Sequence, residues 1–306
     1  MKAFHDRVAV VTGAASGLGA ALAEQAAALG MQLVIADIDA PALERTARRL
    51  GDAGVPVLSQ ACDVADAAAV QALADAARQR FGRVHLLFNN AGVAGGNGFA
   101  WESSLEDWRW GLGVNLWGVV HGLHSFMPLM SAAAQADPAY EGHVVNTASM
   151  AGFFSPPITA VYNAGKQAVT AITETLHHDL RIAGLPIGCS LLAPFFVATG
   201  IADSERHRPA HLRNAAAPSA SQQAQRDQAQ AGMASASLSA AEVAAMTFEA
   251  IRARQFYVFP HPGMLRSVER RMQAILAQQA PADPFAFRPE ILEGLKQRLA
   301  LARSAT

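Results

Sequence analysis

From residue 7 to about residue 193 the chain alternates short aliphatic runs with longer segments of helical period. That alternation constrains the fold more than any other feature, because a parallel strand pair needs a crossover connection, normally a helix. The runs Val8–Val11, Leu33–Ala36, Val55–Leu58, Val84–Phe88, His143–Val145 and Ile187–Leu192 read as strands, most of them apolar on both faces. Helical segments fall near 17–30, 40–50, 66–81, 104–133 and 158–183, several opened by Asp, Ser or Thr at capping positions. A further helix near 239–254 leads to Phe256–Phe259, a last strand stopped by Pro260 and Pro262. The expected architecture is a doubly wound parallel sheet of about seven strands in a three-layer α/β/α sandwich.

Residues 200–238, rich in Ala, Ser and Gln, break this rhythm just after a strand's C-terminal end, where open α/β sheets bind ligands. They read as a mobile substrate lid inserted in one catalytic domain, 1–262. Residues 263–306 read as a C-terminal helical extension packed on that domain, with helical patches near 264–279 and 288–302.

Composition narrows the function. With 51% hydrophobic and 16% charged residues among 306, the chain has ample material for a core. A formal net charge of -1 and scattered Lys and Arg lack the footprint of a nucleic-acid binder, so a small-molecule partner is expected. Cys62 and Cys189, both expected at buried strand ends, provide neither a disulfide framework nor a four-cysteine zinc site, which suits a reducing cytoplasm. The segment Met1–Asp6 has no apolar signal region, and no apolar run reaches the roughly 18–20 residues of a membrane span. A soluble protein without membrane contact is expected.

Directly after the first strand comes Thr12-Gly13-Ala14-Ala15-Ser16-Gly17-Leu18-Gly19, which runs into an Ala-rich helix. Glycines there let the chain turn sharply and let backbone approach a pyrophosphate at a helix N-terminus. The preceding strand and following helix raise this above an ordinary tight turn. Asp37 closes the second strand, where a carboxylate can accept hydrogen bonds from ribose hydroxyls and repel a 2′-phosphate. Ala15 and Ile38 offer no cation to such a phosphate, so NAD(H) is favoured over NADP(H). The alternative is a plain strand-end Asp, with Asp39 as the helix cap.

Ser149 follows the fifth strand, and Tyr162 and Lys166 share one face of the next helix at i, i+4 spacing. Tyrosine titrates near ~10, and a neighbouring ammonium is expected to lower that value. Ser149 lies on the same sheet edge as the glycine loop.

Together Thr12-Gly13-x-x-x-Gly17-x-Gly19, Asn89-Asn90-Ala91-Gly92, Asn115, Ser149 and Tyr162-x-x-x-Lys166 resemble the short-chain dehydrogenase/reductase family over residues 5 to about 260. The resemblance implies a Rossmann fold and a catalytic tetrad of Asn115, Ser149, Tyr162 and Lys166. It implies adenine contacts from Asp63 and Val64, ribose contacts from Asn90, Ala91 and Gly92, and cofactor contacts from Gly13, Ser16, Gly17, Leu18, Gly19, Asp37, Pro194, Val197 and Thr199. In the implied mechanism Tyr162 takes the proton of a secondary alcohol, Ser149 holds the reacting oxygen, Lys166 binds the nicotinamide ribose, and Asn115 anchors a relay water. A homodimer or homotetramer, through the helices near 104–133 and 158–183, is also implied.

Where the family commonly has Pro-Gly-x-Val-x-Thr, this chain has Pro194-Phe195-Phe196-Val197-Ala198-Thr199, which predicts a bulkier, more apolar wall. The layout and Phe256-Tyr257-Val258-Phe259-Pro260 are loosely similar to bacterial dehydrogenases of lignin-derived benzylic alcohols, which suggests a bulky or aromatic substrate. Val93, Ala94, Gly95, Phe153, Phe154, Ile158, Phe195 and Phe196 are candidate pocket walls. His121, His124, His177, His178 and the tryptophans Trp101, Trp108, Trp110 and Trp117 read as packing or interface residues, and no metal site is expected. Gly165, costly inside a helix by about 1 kcal/mol relative to Ala, points to close packing there.

Overall fold

A computed structural model describes residues 1–286 and 289–304. The first position of the helix expected over 288–302 therefore lies outside the described residues.

The six strands of the first 192 residues form because their side chains are apolar on alternate faces, so each strand feeds two cores at once. In β1 (Val8–Thr12), Ala9 and Val11 join one core and Val8 and Val10 the other. The pattern repeats in β2 (Gln32–Asp37) and β4 (Leu86–Asn89), where Leu33, Ile35, Leu86 and Phe88 face the first core and Val34, Ala36 and Leu87 the second. With β3 (Val57–Ala61), β5 (Gly142–Thr147), β6 (Ile187–Leu192) and the two-residue β7 (Tyr257–Val258), they make one parallel seven-stranded sheet in the order β3-β2-β1-β4-β5-β6-β7. The order reverses between β1 and β4, where a crevice opens at the strands' C-terminal ends.

On one face α1 (Gly17–Ala28), α2 (Ala40–Asp52) and α8 (Ala240–Arg252) bury Leu22, Ala26, Leu43, Val243 and Phe248. On the other, α3 (Ala67–Phe81), α5 (Gly118–Ala136) and α6 (Ala160–Ile182) bury Leu73, Phe126, Met130 and Leu180. The expected caps are present: Asp39 accepts from Ala42 N at 3.1 Å and Asp66 from Ala68 N at 2.9 Å. The structure thus agrees with the expected three-layer α/β/α sandwich, while Cys189 lies within β6 rather than at its end and Cys62 just follows β3, both buried.

One expectation changes, and a second segment gains detail. The single helix expected over 104–133 is split into α4 (Leu105–Leu112) and α5 by a π-helical turn at Gly113–Trp117, the kind of bulge that recurs at functional sites. Residues 200–238 are largely regular: 3-10 turns at Gly200–His207 and Ala210–Leu212, then α7 (Ala220–Ala234) with a Ser219/Gln222 capping box. The reason is a buried polar clamp. Arg208 is 1% exposed and pairs at 2.7 Å with Asp107 of α4, itself 0% exposed, with its guanidinium 5.1 Å from the centroid of the Trp110 ring.

The C-terminal extension braces this arrangement through α9 (Leu265–Leu276) and α10 (Pro289–Ser304). Arg271 of α9 donates to the Phe153 carbonyl at 3.0 Å, and α10 packs on α7 with Arg298 at 3.8 Å from Asp227. Among the described residues, no helix is long and apolar enough to cross a membrane.

Candidate active site

The crevice is built first by two loops that bind each other. After β1 the chain turns through Gly13 (φ 69°) and Gly17 (φ 54°), conformations that favour glycine. A Cβ on Gly13 would stand 2.8 Å from Ala91 Cα, and one on Gly19 would overlap the Gly13 carbonyl. Thr12 Oγ1 accepts from Asn90 N at 3.0 Å and Ala91 N at 3.1 Å, while Asn90 Nδ2 donates to the Thr12 carbonyl at 3.0 Å. The loop after β4 is thereby fixed against the glycine turn. Ser16 is the N-cap of α1, yet its hydroxyl makes no capping bond, so both that group and the first-turn N–H groups face the crevice free for an anion.

At the end of β2 the Asp37 carboxylate is oriented by two backbone donors, Ala15 N at 3.0 Å and Asp39 N at 2.9 Å. Asp39, not Asp37, caps α2, which leaves Asp37 lining the crevice. Past β3, Asp63 accepts from Ala65 N at 2.9 Å, and the Val64 carbonyl is met by His121 Nδ1 at 2.9 Å. That contact gives His121 a packing role.

At the inner end, Tyr162 and Lys166 stand on one face of α6, with Lys166 Nζ 5.7 Å from the Tyr162 ring centroid. Lys166 is buried, and Nζ donates to the Thr147 carbonyl at 2.8 Å. Burial lowers its pKa to about 8. Burial also pushes the Tyr162 phenol above its ordinary value, while its hydrogen bond with Ser149 acts the other way. The expected lowering of the phenol by Lys166 is therefore not what governs it here. The ammonium is turned to a carbonyl, and desolvation outweighs the remaining effects.

Asn115 sits inside the π-turn, wholly buried, with Oδ1 accepting from Val93 N at 3.0 Å and Nδ2 donating to Val93 O at 2.9 Å. It does not line the crevice. Its side chain instead fixes the Asn90–Val93 loop beside Lys166: a Cβ on Gly92 would lie 3.1 Å from Asn115 Oδ1 and 3.5 Å from Lys166 Nζ. The close packing expected at Gly165 is present, since a Cβ there would come within 3.2 Å of Asn115 Cβ.

Apart from Asn115, every residue expected at the catalytic and cofactor site lines one cavity of about 390 Å3, from Gly13 and Asp37 through Asn90 to Ser149, Tyr162, Lys166, Pro194, Val197 and Thr199. The expected apolar wall is met in part. Val93 and Phe195 line the cavity, but Phe153 packs against Phe259 at 5.0 Å, and Phe196 packs against Phe195 and Gly232. Trp110, buried and packed under the Arg208 guanidinium, also borders the cavity. Sequence reasoning missed Ile201, Ser204, Arg206, His207, Leu212 and Met233, which the 200–238 segment brings to the cavity.

A glycine-turned helix N-terminus, an acidic residue at the end of β2 and a Ser-Tyr-Lys group on one sheet edge define a dinucleotide-dependent oxidoreductase architecture. The short chain dehydrogenase family model matches residues 7–210, and the chain belongs to that family. A short-chain dehydrogenase/reductase from Burkholderia phymatum, solved in complex with NAD, superposes with a TM-score of 0.90 at 53% identity, covering 93% of this chain and 99% of that one. The CLA biosynthesis dehydrogenase/reductase of Lactiplantibacillus plantarum is 34% identical over 92% of this chain and 97% of its own length. The C alpha-dehydrogenase of a Sphingobium species is 29% identical over 98% and 93%.

Proposed function

We propose that this enzyme uses NAD(H) to interconvert a bulky or aromatic secondary alcohol and its ketone. The observation that carries the reading is the convergence of Ser149, Tyr162 and Lys166 at the inner end of a cavity whose outer part has the glycine cradle and Asp37. The cradle fits a dinucleotide: a Cβ at Gly13 or Gly19 would collide with Ala91 or the Gly13 carbonyl, so only glycine lets the two loops close on each other and leave the free α1 N-terminus facing the cavity. Asp37 favours free ribose hydroxyls over a 2′-phosphate, and Ile38, 44% exposed at the cavity, offers that phosphate no charge. The NAD complex of the Burkholderia relative supports the same choice.

When bound, the nicotinamide accepts or supplies the hydride. Ser149 holds the substrate oxygen, and Tyr162 accepts its proton in oxidation or donates one in reduction. Lys166, whose ammonium has donors beyond the one given to the Thr147 carbonyl, would hold ribose hydroxyls and steady the phenolate. The Asn115 amide is spent on Val93, so its part is to hold the Asn90–Val93 loop, and a relay water would have to use its main chain. Phe195, Trp110, Met233 and Leu212 supply apolar walls that favour a large uncharged substrate.

A reducing cytoplasm suits the two free buried thiols. The exposed Trp117 and Ile182 near or on α5 and α6 support association of identical chains through those helices. The test is initial-rate nicotinamide absorbance with NAD and NADP across aliphatic and benzylic secondary alcohols. Turnover with NAD that falls roughly 10^2–10^4-fold in Tyr162→Phe, with NAD binding intact, is expected. Full activity in that variant would defeat the mechanism.

A further inference from the structure

The 200–212 segment does more than border the substrate. Resting on the dinucleotide reading above, we propose that Arg206 is the counter-charge for the cofactor's pyrophosphate, so that this segment completes the phosphate site that the glycine loop begins.

Position is the first argument. A Cβ on Gly17 would lie 3.1 Å from Thr199 Cβ, so the chain leaving β6 runs against the phosphate loop. The next residue, Gly200, leaves room for Arg206, whose Nη2 stands 3.4 Å from where a Gly200 Cβ would be. Ser16, Gly17, Thr199, Gly200 and Arg206 all line the same cavity.

Charge is the second. A pyrophosphate diester carries two negative charges, whereas the loop Thr12–Gly19 contains no cation and a helix N-terminus supplies only about half a charge. Among the other arginine, lysine and histidine side chains at the cavity, all but His211 are engaged. Arg109 pairs with Glu106 at 2.8 Å, His207 lies 3.9 Å from Asp39, and Lys166 serves the inner end. Arg206 donates only to the carbonyls of Gly200 at 3.3 Å and Asp203 at 2.8 Å, and makes no ion pair among the described residues. Its guanidinium is exposed at the cavity mouth with no carboxylate to neutralise it, the arrangement suited to a phosphate fork.

Anchoring is the third. Ser204 accepts from Ala94 N at 3.0 Å and Arg208 is clamped to Asp107, so the turn carrying Arg206 is fixed on both sides. The charge is thus held in place before the cofactor arrives, which limits the ordering cost of binding.

Titration calorimetry of NAD, NADP, ADP-ribose and adenosine against the full chain and its Arg206→Gln variant tests this without turnover. NAD and ADP-ribose should each weaken about tenfold or more, adenosine should bind unchanged, and the salt dependence of NAD binding should flatten. Arg206→Lys should recover part of the loss. Unchanged NAD and ADP-ribose affinities would overturn the proposal, as would a loss confined to NADP, which would assign Arg206 to a 2′-phosphate. Wild-type protein that bound adenosine but neither NAD nor ADP-ribose would overturn the dinucleotide reading as well, so the two failures are distinguishable.

Discussion

Replacing Arg208 with Met should open the 200–214 segment without unfolding the sheet. Arg208 meets Asp107 at 2.7 Å and Glu205 at 3.0 Å, and Asp107 also accepts from Asn214 Nδ2 at 2.9 Å. Removing one partner from a buried ion pair costs about 3–5 kcal/mol, because the remaining charge is left in a poor solvent. The Asp107 carboxylate has an escape that a core charge lacks, since the segment covering it can lift and admit water. The loss to the folded domain is therefore capped by the free energy of opening that segment, which Ser204 otherwise holds through Ala94 N and Asn214 through Ser104 and Asp107.

Hydrogen exchange read by mass spectrometry should show amides over 200–214 exchanging about a hundredfold faster or more, since each ~1.4 kcal/mol is a factor of ten. The thermal midpoint should fall by less than the full pair energy would require. Asp107→Asn combined with Arg208→Met should recover most of the protection, because the amide keeps the acceptor for Ser104 N and leaves no buried charge. Wild-type exchange over 200–214 together with a full-sized drop in midpoint would refute the reasoning, showing that the segment unfolds only with the whole domain. A double variant as damaged as Arg208→Met alone would refute the unpaired-charge account specifically.

Burial lowers the pKa of His143 to about 3, so the folded protein takes up fewer protons than the unfolded chain below the ordinary histidine value. Stability from this group is full above about pH 6.5 and should fall by about 2 kcal/mol by pH 5, a slope that His143→Gln should flatten in denaturant titrations. A raised Tyr162 phenol predicts alcohol oxidation that increases with pH and ketone reduction that decreases, checked by kcat/KM profiles in both directions. Asp37→Ser with Ile38→Arg should shift cofactor preference toward NADP by a hundredfold or more, and unchanged preference would remove Asp37 from the ribose site. Gly92→Ala should lower kcat more than it weakens NAD binding, because the added methyl crowds Asn115 Oδ1 and Lys166 Nζ rather than the phosphate loop.

Much of the site was legible because it follows from local rules. Fully buried strands leave continuous aliphatic runs, as in β1 and β2, and a positive φ leaves a glycine, as at Gly13 and Gly17. The i, i+4 spacing of Tyr162 and Lys166 survives into the structure because α6 runs unbroken through both. The π-turn at Gly113–Trp117 was not legible, since one extra residue per turn barely disturbs an apolar period that continues into α5. With it went the true position of Asn115, whose side chain serves Val93 and not the cavity.

The order within the 200–238 segment was not legible for a different reason, and that reason bears on how the enzyme works. Its Ala, Ser and Gln content carries no hydrophobic period, so it reads as an insertion. Its order comes from a few polar side chains reaching partners about a hundred residues away, such as Arg208 to Asp107 with a separation of 101. Pairings of that kind leave no spacing in the sequence. A wall held by buried polar bonds rather than by an apolar core can release as a unit once those bonds are weakened, while the sheet beneath keeps the glycine loop and Tyr162 in register. The same segment carries Arg206 and Met233 to the cavity. Its opening would therefore expose the phosphate and substrate ends together, coupling cofactor exchange to product release through one electrostatic fastening at Asp107.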